Sequence, residues 1–126
     1  MGLTGRKARI TSLELEGMYI EILDGTNWQE FLSEGIAVLM LGKTTCAACN
    51  EWTEELDAWD SPFEGIKIAK ILLDQPGLGR FKIAQPWVSE VEMLPFNAIF
   101  VDGEVVKQWA GGGISRLENR LQRFMS

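Results

Sequence analysis

A chain of 126 residues, 46% hydrophobic and 24% charged, has the size and composition of one globular domain that buries a core without a disulfide framework. Its net charge of −6 argues against nucleic acid as a partner, and the absence of histidine removes the commonest general base and metal ligand. No apolar run approaches the roughly 18 residues that span a bilayer.

Residues 1–17 read as an N-terminal extension with three glycines and few large apolar groups. Its basic cluster, Arg6, Lys7 and Arg9, is a short tail, and its Ile10–Leu15 stretch suggests a brief strand or helical turn. It has no apolar h-region and so is not a secretory signal. A cytoplasmic protein is the simplest expectation. The domain proper is expected over residues 18–126. Met18–Leu23 reads as a strand closed by Asp24-Gly25, and Thr26 or Asn27 as the cap of a helix with Trp28, Phe31 and Leu32 on one face. Ile36–Leu41 is a continuous apolar run, as in a strand covered on both faces. Cys49, Trp52, Leu56 and Trp59 share one face of a second helix, which Ser61-Pro62 is expected to stop. Glu51, Glu54, Glu55 and Asp57 take its other faces and read as solvated.

Ile66–Leu73 is a second buried strand, followed by a long connection, Gln75–Met93, with a helix suggested near Arg80–Ala84. Asn97–Val101 and Val105–Trp109 flank the turn pair Asp102-Gly103, a hairpin signature. Ser115 is expected to cap a last helix with Leu117, Leu121 and Phe124 inward. Helix-linked strands require parallel crossovers, whereas the hairpin is antiparallel, so an α/β fold follows: a central mixed sheet with helices on both faces. Trp28, Trp52, Trp59 and Trp109 fit core or half-buried positions, and Trp87 reads either as a contact beside the cysteines or as a packed loop anchor.

Cys46 and Cys49, the only cysteines, fall between the central strand and the second helix. Unpaired N–H groups at a helix start stabilise negative charge, so a thiol there ionises more readily and becomes the attacking species. Lys43 would add positive potential. The two-residue spacer lets the second sulfur resolve a mixed disulfide on the first. Helical phase puts Cys49 on the buried face with Trp52 and Leu56 and leaves Cys46 ahead of it, so Cys46 is expected to attack and Cys49 to resolve. Two other readings stay open: an inert core pair, and half of a zinc site completed by a second chain.

From Met18 to Met125 the sequence resembles the thioredoxin family. The resemblance rests on the apolar strand leading into Cys46-Ala47-Ala48-Cys49, on AKILLDQPG (69–77), on MLPFNAIFVDGEVV (93–106), and on the glycines before an amphipathic C-terminal helix. It implies a thioredoxin fold and disulfide exchange with protein substrates. It also implies a cis-proline at Pro95 facing the cysteines, a substrate groove along Leu94, Pro95, Gly111 and Gly112, and an electron donor such as a thioredoxin reductase. No cofactor or metal is implied beyond the redox-active disulfide, and a monomer is expected. By the same resemblance Lys70 matches a lysine near the second cysteine; strand phase also turns it toward a covered face, where it would support the Cys49 thiolate or snorkel to water.

Four positions depart from the family. Thr45 replaces the tryptophan before the first cysteine, Ala47-Ala48 the usual Gly-Pro, Met40 the buried aspartate, and Glu54 the helix-kinking proline. These departures keep a second reading in view: a thioredoxin-fold binding module whose cysteines are weak catalysts.

Overall fold

The alternating and continuous apolar segments become five strands and four α-helices over residues 20–125, the part of the chain that the computed structural model describes. In chain order these are β1 (Ile20–Leu23), α1 (Trp28–Leu32), β2 (Ile36–Gly42), α2 (Ala47–Asp57), β3 (Ile66–Leu72), α3 (Gly79–Ala84), β4 (Phe96–Val101), β5 (Glu104–Ala110) and α4 (Ile114–Leu121). The expected N-terminal extension and the start of the first strand, Met18-Tyr19, lie outside the described residues.

The sheet order is β1-β3-β2-β4-β5. β3 runs parallel to both β1 and β2, as helix crossovers dictate, while β4 and β5 are antiparallel. Asp102 (φ 50°) and Gly103 (φ 92°) close the hairpin with the two positive-φ residues that a type I′ turn needs. β2 lies at the centre, with six of its residues from Ala37 to Gly42 buried.

Because side chains alternate across a strand, β2 feeds two separate cores. Ala37, Leu39 and Leu41 join Trp28, Leu32, Phe81 and Phe100 under α1 and α3. Val38 and Met40 join Trp52, Leu56, Trp59, Leu117 and Leu121 under α2 and α4. The second core is the one that holds the cysteine-bearing helix to the sheet.

Several boundaries differ from expectation, each for a local reason. Neither Thr26 nor Asn27 caps α1 with its side chain. The Thr26 hydroxyl donates to Asp24 Oδ1 at 2.6 Å, and Asn27 Oδ1 accepts the Asp24 N–H at 2.7 Å, so both side chains are used by the preceding turn. α2 ends at Asp57, ahead of Ser61-Pro62. Trp59 leaves the helix to become 5% exposed and donates its indole N–H to Glu118 at 2.8 Å, tying α2 to α4. α4 begins at Ile114 with Gly113 at its N-cap, so Ser115 lies within the first turn and does not cap it. The long connection holds α3 and a further 3-10 turn, Pro86–Glu90. Half-buried Trp87 packs 6.0 Å from the Phe96 ring, which makes it a loop anchor.

Candidate active site

β2 ends at Gly42, and the chain turns through Lys43–Thr45 into α2. Asp74, just beyond β3, clamps this turn: it accepts the Thr44 backbone N–H at 3.2 Å and the Thr44 hydroxyl at 2.5 Å. These bonds, the hydroxyl's foremost, hold the Asp74 carboxyl below its ordinary pKa. Cys46 follows in an extended conformation at the N-cap of α2, and its sulfur accepts the Cys49 N–H at 3.1 Å. The sulfur thus takes the place usually filled by a serine or aspartate oxygen, facing the positive end of the helix dipole.

Cys46 and Cys49 form a disulfide with Cα atoms 5.2 Å apart. Cys46 is half-buried and Cys49 is 2% exposed, packed on the same face as Trp52 and Leu56. Gly42 and Met40 lie beneath Cys49: a Cβ built on Gly42 would fall 3.2 Å from the Cys49 sulfur and 3.4 Å from the Met40 sulfur. Methionine therefore supplies an apolar, polarisable neighbour where a carboxylate would supply charge.

The residues expected around the pair are placed unequally. Lys43 is exposed and meets Cys46 through its backbone carbonyl, which accepts the Cys46 N–H at 3.2 Å. Lys70 pairs with Met40 in the sheet register, and its ammonium donates to the Thr53 hydroxyl at 3.3 Å. That hydroxyl in turn donates to the Cys49 carbonyl at 2.9 Å, so the link between Lys70 and Cys49 runs through Thr53. Burial pushes the Asp57 carboxyl above its ordinary pKa, and the charge of Lys70 partly opposes that shift.

The Leu94-Pro95 peptide bond is cis. Leu94 and Pro95 meet Gly111 and Gly112 along a groove of about 360 Å³ whose floor is Trp52. Gly112 lies directly on that indole, since a Cβ there would come within 3.1 Å of the ring. The Leu94 N–H and carbonyl form no hydrogen bond with another described residue. Glu51 and Glu55 also line the groove, so part of the helix face read as merely solvated belongs to the site.

Asn97 is a functional support that sequence reasoning missed. It is 0% exposed, accepts the Trp52 indole N–H at 2.8 Å, and donates to the Gly111 carbonyl at 2.7 Å. It thereby ties α2, β4 and the glycine turn together under the groove. The signal was present: one amide in the otherwise apolar run FNAIFV (96–101). Among the described residues no group of three or more His, Cys, Asp or Glu side chains is arranged to hold a metal ion. No described helix is long and apolar enough to cross a membrane.

No protein-family model matches the chain, and no curated protein matches it by sequence. Solved structures do match by shape. Thioredoxin from Malassezia sympodialis superposes with a TM-score of 0.69 at 17% identity, covering 92% of this chain and 98% of its own. The short form of spinach chloroplast thioredoxin f gives 0.71 at 14% identity, covering 90% and 100%. Thioredoxin NaTrxh from Nicotiana alata gives 0.69 at 17% identity, covering 91% and 100%. At such identities the likeness speaks for architecture: this chain has the thioredoxin fold, with a disulfide-forming Cys-x-x-Cys pair at the start of its second helix.

Proposed function

We propose that the protein is a thiol–disulfide oxidoreductase acting on protein substrates, with Cys46 attacking and Cys49 resolving. The observation that carries this reading is the asymmetry of the pair: a half-buried cysteine at the N-cap of α2 followed by a cysteine that is 2% exposed. In the reduced protein the Cys46 thiolate attacks a substrate disulfide, forming a mixed disulfide and releasing one substrate thiolate, which takes a proton from water. Cys49 loses its proton and attacks the Cys46 sulfur. The second substrate thiolate leaves, and two electrons have passed to the substrate as Cys46–Cys49 closes. An external dithiol donor, such as a thioredoxin reductase, restores the thiols, and no other cofactor enters.

Leu94 is the docking residue, because its backbone groups, which bond no other described residue, border the groove next to the cis-proline. Gly111 and Gly112 form the opposite wall, and the lack of a Cβ at Gly112 keeps that wall low over Trp52. Lys43 and Lys70 act on the thiols through the field of their charges. In this reading the protein works as a cytoplasmic monomer in electron transport and cell redox homeostasis. Thr45 and Met40, in place of an aromatic and an acid, favour a second reading in which the groove binds partners and the cysteines exchange slowly.

Insulin reduction by the dithiol-reduced protein separates the two. The proposal expects turnover that Cys46→Ser abolishes, and Cys49→Ser is expected to accumulate stable mixed disulfides. Turnover equal to the dithiol alone contradicts the oxidoreductase reading.

A further inference from the structure

The groove beside the disulfide carries charge of one sign on its helical wall. Glu51 and Glu55 are four residues apart on α2, which places them side by side, and both are exposed and line the groove. On the facing loop Met93, 65% exposed, lines the rim. The cation at the glycine end, Arg116, is held by backbone: its guanidinium donates to the Ala110 carbonyl at 2.9 Å and to the Gly112 carbonyl at 3.5 Å. A chain docking along Leu94 therefore passes between an acidic helix wall and an apolar-tipped loop.

We propose that the groove selects protein disulfides whose cysteine is flanked by lysine or arginine, with Glu51 and Glu55 as the residues that set this preference. The inference rests on the oxidoreductase reading above and names its substrate class. Complementary charge around a reacting pair raises encounter rates and fixes register more than it raises equilibrium affinity. The side chains of Glu51 and Glu55 sit beside the reaction path without touching the reacting sulfurs, so they set specificity and leave the exchange chemistry unchanged. Met93 offers the apolar stem of a basic side chain a soft surface.

The test uses the full chain in its reduced form and two short peptide disulfides of equal length, one with Lys and one with Glu on both sides of the cysteine. Second-order rate constants are read by quenched alkylation and mass spectrometry. The Lys peptide is expected to react about ten-fold faster at low ionic strength, with the ratio falling toward one as salt is raised. The double variant E51Q/E55Q is expected to lower the ratio about three-fold or more. The control E34Q/E104Q makes the same change in net charge at the far end of the sheet, where Gly35 and Asp102 join the strands, and is expected to leave the ratio close to wild type. Equal rates for the two peptides, or the same shift from both double variants, overturn the preference while leaving the redox chemistry standing. A protein that reduces neither peptide overturns both.

Discussion

A Cβ on Gly42 would crowd Cys49, meeting its Cβ at 3.1 Å and its sulfur at 3.2 Å. Gly42→Ala is expected to cost about 1–3 kcal/mol by overpacking and to slow exchange at the resolving step. Urea unfolding and single-turnover alkylation check this, and unchanged stability with unchanged resolution contradicts it. Asn97→Leu removes the acceptor of the Trp52 indole and a donor to Gly111, and is expected to cost about 1–3 kcal/mol in the same unfolding assay. Asp74 sets a pH limit. Its carboxyl is depressed below the ordinary 3.8, chiefly by the Thr44 hydroxyl, so its contribution is complete above that value. The contribution is lost only as pH falls through the lower folded value. The Thr44 amide resonance is therefore expected to stay constant from neutral pH down to about 4 and to move only below it. A midpoint above 3.8 contradicts the clamp. At this scale the cysteine pair was legible from its two-residue spacing after an apolar strand, and the cis bond at Pro95 was implied only by the resemblance. The partners of Asn97 and the Gly42 contact were not legible, because each depends on what another strand or helix brings to it.

Elements were legible where an apolar pattern fixes them. β2 follows from a continuous apolar run, and the buried face of α2 from the spacing of Cys49, Trp52 and Leu56, while Trp59, expected on that face, lies past the end of the helix. Ends were less legible, because side chains that cap in isolation are taken by neighbours, as Asp24 takes Asn27. The start of α2 is capped by Cys46 itself. In reduced protein, Cys46→Ser keeps an acceptor at that position and Cys46→Ala does not. The alanine variant is expected to be less stable by about 0.5–2 kcal/mol, and equal stabilities contradict the capping role. Between β3 and α2, Lys70 bonds Thr53 and its charge opposes the raised pKa of Asp57. Lys70→Met is expected to raise the Asp57 pKa further. Since a raised carboxyl pKa favours the folded state at low pH and loses that advantage as pH rises through the folded value, the variant is expected to lose stability toward neutral pH. An Asp57 titration left unchanged contradicts this coupling.

At the scale of the molecule, the parallel crossovers and the hairpin led to the expectation of a mixed sheet with helices on both faces, and the five-stranded sheet is mixed; its strand order was not legible in the sequence. The sequence did not separate the two cores that β2 feeds, because periodicity cannot say which helix covers which face of a strand buried on both. This division places the cysteine helix over one core and lets Trp52, Asn97 and the glycine turn build the groove beside it. The whole account depends on a cysteine sulfur ionised at the N-cap of α2 and reachable from solvent. The most direct measurement is the pH dependence of iodoacetamide alkylation of the fully reduced protein, with the modified cysteine identified by mass spectrometry. The account predicts Cys46 modified first, with a midpoint well below the ~8.5 of a free thiol, and Cys49 protected. A Cys46 midpoint at or above that ordinary value, or Cys49 reacting ahead of Cys46, would contradict it.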